Sequence, residues 1–389
     1  MPPYPITRAE ISRSRLVGNF SRLRALAQRL SSGCDLLAVV KADAYGHGVA
    51  HCAPWLAEAG AQWLGVTSVA EGVRVRRLCP EARILVMSVL MPEDAAALLE
   101  ARLTPTVWTL EHLEALARPA ASESGSIPIH LELDTGMSRQ GVNVDELAPI
   151  LDRLRAIPAL RLEGVFTHFA SPEMLEVEQN ARQMARFQQG VERIAAAGFH
   201  PRWVHAGNSS TLLAQRGTEA LAALAKQVGA TVMLRPGIAL YGYALPFTPL
   251  LGMPIELEPV LAWKTAIASL RTVQAGTKIG YGGAFVASST MRLALLPVGY
   301  ADGLNRKLSN LGHVLIGGEI APIVGRISMD LTIVDVSHVA GVATGEEVIL
   351  LGEQNGQRIT ADDHARWAET ISYEILCALG VRVPRVAAD

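Results

Sequence analysis

Eight short β-branched runs, each followed by an amphipathic helical stretch, fill roughly the first 245 residues, and this rhythm limits the fold more than any other feature. The runs are Leu36–Val40, Trp63–Thr67, Ile84–Ser88, Thr106–Trp108, Ile127–Asp134, Leu162–His168, Trp203–His205 and Thr231–Arg235. Helical patterns such as "PEDAAALLEARL" and "LEVEQNARQMARFQQGVERIAAAG" separate them. Eight alternating units predict an α/β fold, a (β/α)8 barrel over residues 11–245. An open doubly wound sheet is the competitor, and the lack of a GxGxxG after the first strand weighs against it.

Beyond Leu245 the texture changes. Prolines cluster in "LPFTPLLGMPIELEP", and then strand-like runs with Gly-rich turns follow: "VLAWKTAIASLRTV", "MRLALLPVGYADG", "GHVLIGGEIAPIVGRISMDLTIVDV" and "EEVILLG". A smaller β-rich domain over 246–389 is predicted, with one short helix near Thr360–Glu369 and another after Tyr373. The opening residues 1–10 are too few to fold alone, and a strand there is expected to join the second domain.

Composition excludes several classes. The formal net charge is −2 with both signs mixed along the chain, so no footprint for nucleic acid or an anionic membrane is present. No apolar run is long enough to span a bilayer, and the start reads as no signal peptide. The four cysteines form no CxxC pair and read as reduced, mostly buried thiols of a cytoplasmic protein. No metal-ligating cluster is read.

In a barrel of this kind the active site lies where the strands end. "LLAVVKADAYGHG" closes the first strand with Lys41, followed by Tyr45. The fifth strand runs into "DTGMSRQG" with Arg139, and the sixth ends in "FTHFA" with His168. "HAGNSS" after the seventh brings Asn208 and Ser209, and "RPGIALYG" after the eighth brings Arg235, Gly237 and Ile238. The loops after strands seven and eight commonly bind phosphate. A phosphorylated ligand beside a strand-end lysine points to pyridoxal 5'-phosphate, whose aldehyde forms an imine with lysine and whose ring takes up carbanion electrons.

Taken in order, "AVVKADAYGHG", "DTGMSRQGV", "THFA", "RPGIALYG", "IGYGGAF", "PVGYADGL" and "GRISMD" resemble the motifs of alanine racemases, from about Ile11 to Val383. The resemblance implies that Lys41 carries the cofactor and exchanges the Cα proton on one face. It implies that Tyr281, in "IGYGGAF", is the acid/base of the opposite face, supplied by the partner of a head-to-tail homodimer. A tyrosine is a poor base at a free pKa near 10, so nearby cations or a hydrogen-bond network have to assist it. Arg235 matches the arginine facing the pyridine nitrogen, and His168 matches its second contact. Arg139 matches the residue at the cofactor's phenolic oxygen and the substrate carboxylate. Tyr45, Ser209, Gly237, Ile238 and Tyr373 match phosphate contacts. Met329 and Asp330 match the place where the partner's backbone meets the substrate carboxylate. Tyr300 matches a gate of the substrate channel, with Asp302 nearby and Arg306 and Arg326 as guides for anionic substrates.

Two positions depart from the family pattern: Asp43, usually asparagine, and Glu132, where the family has a lysine that is often carbamylated. In "IHLELDTGM" alternation directs His130, Glu132 and Asp134 into the barrel and Ile129, Leu131 and Leu133 toward the helices. Glu132 is expected to take the place of the carbamate and to hold Arg139 directly or through one water. The implied activity is interconversion of L- and D-alanine for peptidoglycan. A broad-specificity or serine racemase, a decarboxylase or aldolase, and a non-catalytic cofactor carrier are the alternatives.

Overall fold

The computed structural model describes residues 6–120, 126–171, 177–215, 217–244 and 255–389. The expected boundary at 245/246 falls outside them. Two compact units emerge. One comprises Leu16–Ala44 and Cys52–Leu257; the other comprises Met1–Arg15, Tyr45–His51 and Glu258–Asp389.

The first unit is a closed parallel barrel. Its strands are Asp35–Val39, Trp63–Val66, Arg83–Val86, Thr104–Val107, Ile127–Asp134, Leu160–Phe166, Trp203–Asn208 and Thr231–Arg235. Each pairs in parallel with its neighbours, and Asp35–Val39 meets Thr231–Arg235 to close the ring. Closure excludes the open doubly wound sheet. Strands covered on both faces are near-continuously apolar, as in Trp63–Val66, where every residue is buried. The surrounding helices bury single stripes. In Val177–Ala196 the stripe is Met184, Phe187, Val191 and Ile194, three or four residues apart, which is one helix face.

Alternation in Ile127–Asp134 works as the sequence predicts. Leu133 packs against the helix at Gly190, where an added Cβ would lie 2.5 Å from the leucine. His130 turns inward, among Trp63, Trp203 and His205, with ring centroids 5.3, 6.2 and 5.0 Å away. Its space exists because position 164 has no side chain: a Cβ there would sit 2.6 Å from the imidazole. Arg83 covers both tryptophans, 4.2 and 4.6 Å from their ring centres. Strand Trp203–Asn208 continues three residues past its expected end, because backbone pairing with Thr231–Arg235 holds "AGN" extended without β-branched residues.

The second unit is β-rich. Leu261–Ala266 lies between Glu347–Gln354 and Arg8–Ile11, both antiparallel to it, and Arg385–Ala387 pairs in parallel with Arg8–Ile11. Segments from near both ends of the chain thus share one sheet. Ser269–Val273, Met291–Leu296 and Thr332–Asp335 form a separate three-stranded sheet. Helix Ala361–Ala368 starts at a capping box between Thr360 and Asp363, and a second helix covers Ser372–Cys377. Cys34, Cys52 and Cys79 are buried and Cys377 is exposed; all four are free thiols.

The close packing of His130 on Gly164 gives a direct test. Gly164→Ala is expected to lower stability by about 1–3 kcal/mol through overpacking. In a urea-denaturation double-mutant cycle with His130→Ala, most of that loss should vanish once the imidazole is gone.

Candidate active site

Lys41 begins a short turn at the end of the first barrel strand. The backbone after it is left-handed: φ is 52° at Ala42, 51° at Asp43 and 58° at Ala44. Such residues cost about 1–2 kcal/mol each, so the turn needs external restraint. Glu71 supplies it. One carboxylate oxygen accepts from the Ala42 N–H at 2.7 Å, and the other accepts from the N–H and hydroxyl of Thr67 at 2.9 and 3.1 Å. Glu71 itself is fixed in the first turn of helix Val69–Leu78, where its N–H donates to the Ser68 cap. Asp43 pairs with Arg74 at 3.1 Å.

Arg235 is buried at the end of the last barrel strand. It donates to the carbonyls of Thr167 and Ala206 at 2.9 and 3.4 Å, to Nδ1 of His205 at 3.0 Å and to Nδ1 of His168 at 3.3 Å. A guanidinium only donates, so both imidazoles accept through Nδ1 and carry their proton on Nε2. His205 then donates from Nε2 to Nδ1 of His130 at 2.9 Å. The third imidazole is left with its Nε2 proton directed at Glu163, 4.0 Å away, which is beyond hydrogen-bond range. Glu163 is already held by Arg83 and by Arg161 at 2.8 Å.

All three histidines are neutral. Burial, then the Arg83 and Arg235 charges, push His130 down to about 3. Burial, then Arg235, Arg139 and Lys41, do the same to His168. His205 falls well below its ordinary value from burial and Arg235. Arg235 is in direct contact with His168, and the charges of Arg139 and Lys41 act on the same imidazole. Burial lowers Arg235 itself to about 10, with Glu132 opposing and Arg139 adding to the fall.

Ser209 and Gly237 meet at the adjoining strand end. The Ser209 hydroxyl oxygen accepts from the N–H of Gly237 at 2.9 Å and of Ala239 at 3.2 Å, which draws the turn Ile238–Tyr241 onto the helix Ser209–Ala214. Asn208 caps that helix, its side-chain oxygen accepting from the Thr211 N–H at 3.1 Å. In the other unit, the rings of Tyr45 and Tyr373 lie 6.0 Å apart.

Glu132 is 2% exposed and faces the interior. Its described hydrogen bond, however, comes from Gln140 and not from Arg139. Gln140 also donates to the Met87 carbonyl at 2.9 Å and accepts from the Ser88 hydroxyl at 3.2 Å. Among the described residues the direct contact expected with Arg139 is absent and an amide stands in its place, while Arg235 and Arg139 act on the carboxylate through their field. Burial pushes this carboxyl up to about 7, against the opposing pull of Gln140 and the two arginines.

Among the described residues, none accepts from Nε of Arg235. A strand-end amine, a spare guanidinium N–H and a hydroxyl beside backbone donors form a set suited to an aldehyde cofactor with a ring acceptor and a phosphate. Comparison with known proteins agrees. Residues 11–245 match the family described as Alanine racemase, N-terminal domain, and residues 260–387 match Alanine racemase, C-terminal domain. The chain belongs to the alanine racemase family.

An alanine racemase of Syntrophobacter fumaroxidans is 38% identical over 95% of this chain and 94% of its own length. The structure of alanine racemase from Bacillus anthracis with bound L-Ala-P superposes with a TM-score of 0.88 at 30% identity, covering 100% of this chain and 96% of that one. Alanine racemase from Bartonella henselae with covalently bound pyridoxal phosphate gives 0.82 at 26% identity, over 98% and 99% of the two chains. The chain is accordingly a pyridoxal-phosphate-dependent amino-acid racemase, an isomerase. Among the described residues, no helix is long and apolar enough to cross a membrane.

Sequence reasoning did not single out Glu71, Gln140 or His205. Glu71 carried a usable signal, since "SVAE" is a capping-box spacing beside the strand that neighbours Lys41. The other two had none.

The Glu132 shift has a pH consequence with a definite sign. Its folded pKa lies above the ordinary 4.5, so the native chain holds the proton longer, and this group's contribution falls as pH rises from about 4.5 to about 7. The depressed histidines act oppositely, adding stability as pH rises through their window below 6.5. The difference between wild type and Glu132→Gln isolates the carboxyl. In urea titrations of the cofactor-free chain, the variant should gain stability relative to wild type between pH 5 and about 7 and hold that gain above it.

Proposed function

We propose that this chain interconverts L- and D-alanine by two-base exchange of the Cα proton, with Lys41 on one face and Tyr281 of a second copy on the other. The observation that carries the reading is that Lys41 and Arg235 stand at the ends of two paired neighbouring strands of the barrel, with Arg235 hydrogen-bonded to His168 and His205. Pyridoxal phosphate supplies an electron sink that acidifies the Cα–H of a bound amino acid. Lys41 holds the cofactor and moves the proton on its side. Arg235 has an Nε–H that would be available to the ring nitrogen and, being donor-only, would disfavour a proton there, which would limit the sink. Ser209, Gly237 and Ile238 would hold the phosphate. Arg139 orients the phenolic oxygen and the substrate carboxylate.

The second copy is supported by what the β-rich unit exposes. Tyr281 is 70% exposed, Met329 53% and Tyr300 44%. Tyrosine and methionine exposed on one unit are characteristic of surfaces that meet a partner. A head-to-tail homodimer would bring Tyr281, Met329 and Tyr300 to the other subunit's lysine. The net charge of −2 gives no attraction to membranes or nucleic acid, in keeping with a cytoplasmic enzyme supplying D-alanine to peptidoglycan.

Four outcomes test this reading. Borohydride reduction followed by peptide mapping should find the cofactor on Lys41, and Lys41→Ala should abolish both the label and racemisation. Label on another lysine would refute the assignment. Tyr281→Phe should slow Cα deuterium exchange from one alanine enantiomer about 10²–10⁴-fold more than from the other in single-turnover experiments. Mixed dimers of Lys41→Ala and Tyr281→Phe subunits should recover activity, because one of their two sites keeps both residues. Release of carbon dioxide in place of deuterated alanine would identify a decarboxylase.

A further inference from the structure

Two loops of the β-rich unit, 299–303 and 328–331, are tied into one body. The N–H groups of Tyr300 and Ala301 donate to the carbonyls of Ser328 and Met329, both at 3.0 Å. This approach requires Gly299, whose added Cβ would fall 2.3 Å from both carbonyl oxygens. The 328–331 turn is closed on itself, with the Ser328 N–H and hydroxyl both donating to the Leu331 carbonyl at 3.0 and 2.7 Å. Met329 and Asp330 form its tip, and among the described residues their own N–H groups have no acceptor.

Arg382 spans both loops. Its Nε donates to Oδ1 of Asp302 at 2.6 Å, and its Nη2 donates to Oδ2 of Asp302 at 3.2 Å and to Oδ1 of Asp330 at 2.7 Å. Asp302 is nearly buried, and its Oδ2 also accepts from the Gly299 N–H at 2.8 Å. One guanidinium therefore fixes the turn that carries Tyr300 and the tip that carries Met329. It also offsets two carboxylates that would otherwise repel an anion arriving at the tip.

We infer that Arg382 is a positioning residue for substrate binding. It holds the Met329–Asp330 tip and the Tyr300 turn in the arrangement that receives the amino-acid carboxylate in the other subunit's site. Asp330 then acts through its ion pair with Arg382, and its carboxylate is not itself a substrate contact. The inference rests on the shared-site reading above. Lysine cannot replace this arginine, because a point charge cannot bridge three carboxylate oxygens in a fixed fork.

The test measures kcat and KM for L-alanine in the holoenzyme for Arg382→Lys and Asp330→Asn, with thermal unfolding followed in parallel. Asp330→Asn opens only the outer arm, so it reports on the tip even where Arg382→Lys folds poorly. Both are expected to raise KM about tenfold or more while kcat changes far less, since a displaced binding group weakens substrate capture. The absorption spectrum of the bound cofactor should stay unchanged. A residue that only stabilises the fold would shift the melting temperature and leave KM alone, and that result overturns the inference.

Heterodimers isolated with two affinity tags show where Arg382 acts. A Lys41→Ala/Arg382→Lys heterodimer keeps one site with wild-type Lys41 and wild-type loops and should show wild-type KM. A Tyr281→Phe/Arg382→Lys heterodimer should keep the raised KM. The reverse pattern overturns the inference. The Lys41→Ala/Tyr281→Phe heterodimer serves as control: if it is inactive, the shared-site reading has failed, and the inference is then judged on the KM split of the homodimers alone.

Discussion

A guanidinium sealed inside the barrel sets the terms for most of its interior. Arg235 can only donate, so everything around it has to accept, and among the described residues no buried acid is hydrogen-bonded to it. Two carbonyls and two imidazoles do this. The cost of a buried charge falls when its donors are satisfied, and here the satisfaction dictates the protonation of its neighbours. His168 and His205 are fixed as Nε2–H tautomers, and His205 passes the same polarity on to His130. The line runs from the candidate cofactor site to Glu163, where Arg83 and Arg161 balance the last carboxylate. Were His205 to take a proton on Nδ1, Arg235 would lose an acceptor and two cations would face each other. Burial first, and then this geometry, hold its pKa well below the ordinary value.

The second constraint is the strained turn behind Lys41. Four consecutive left-handed non-glycine residues, Ala42 to Tyr45, do not persist by propensity. Glu71, itself anchored in a capped helix, holds the Ala42 N–H, while Arg74 pairs with Asp43 and the Val40 carbonyl accepts from the Ala44 N–H. The effect is that Lys41 is carried on a rigid support at the strand end instead of on a mobile loop. With Arg139 and Arg235 it makes the neighbourhood strongly cationic, offset in part by Glu132. That imbalance suits ligands bearing a phosphate and a carboxylate.

Much of this was legible in the residues. Periodicity located all eight barrel strands, and Ile127–Asp134 and Thr231–Arg235 have the bounds read from sequence because turn-forming residues flank them. Thr104–Val107 begins two residues earlier than expected, since Pro105 obscures a strand that tertiary pairing with Val86 enforces. The strand ends pointed to Lys41, Arg139, His168, Ser209 and Arg235 as candidates, of which His168 and Arg235 are in contact. The residues that support them were not visible. His205 and Gln140 act through contacts between segments far apart in the chain, or through an anchor on another strand, and a lone histidine or glutamine carries no periodic signature. Arg382 is hidden for the same reason: its partners lie 52 and 80 positions away.

Glu132 shows where pattern reasoning succeeds and where it stops. Alternation correctly turns its carboxylate inward, because strand geometry allows only two faces. It says nothing about what stands opposite. Gln140 takes that place because it is anchored twice on the neighbouring strand end, at the Met87 carbonyl and the Ser88 hydroxyl, before it reaches the carboxylate. An amide brings no charge, so it satisfies a lone pair without neutralising the ion. The carboxyl is thus left balanced between burial, which favours the proton, and the fields of Arg235 and Arg139, which oppose it. A direct ion pair with Arg139 would have pulled that arginine inward and held the carboxyl ionised. The amide clamp keeps the carboxyl in the field of both arginines, and among the described residues Arg139 has no carboxylate partner and is available to an incoming one.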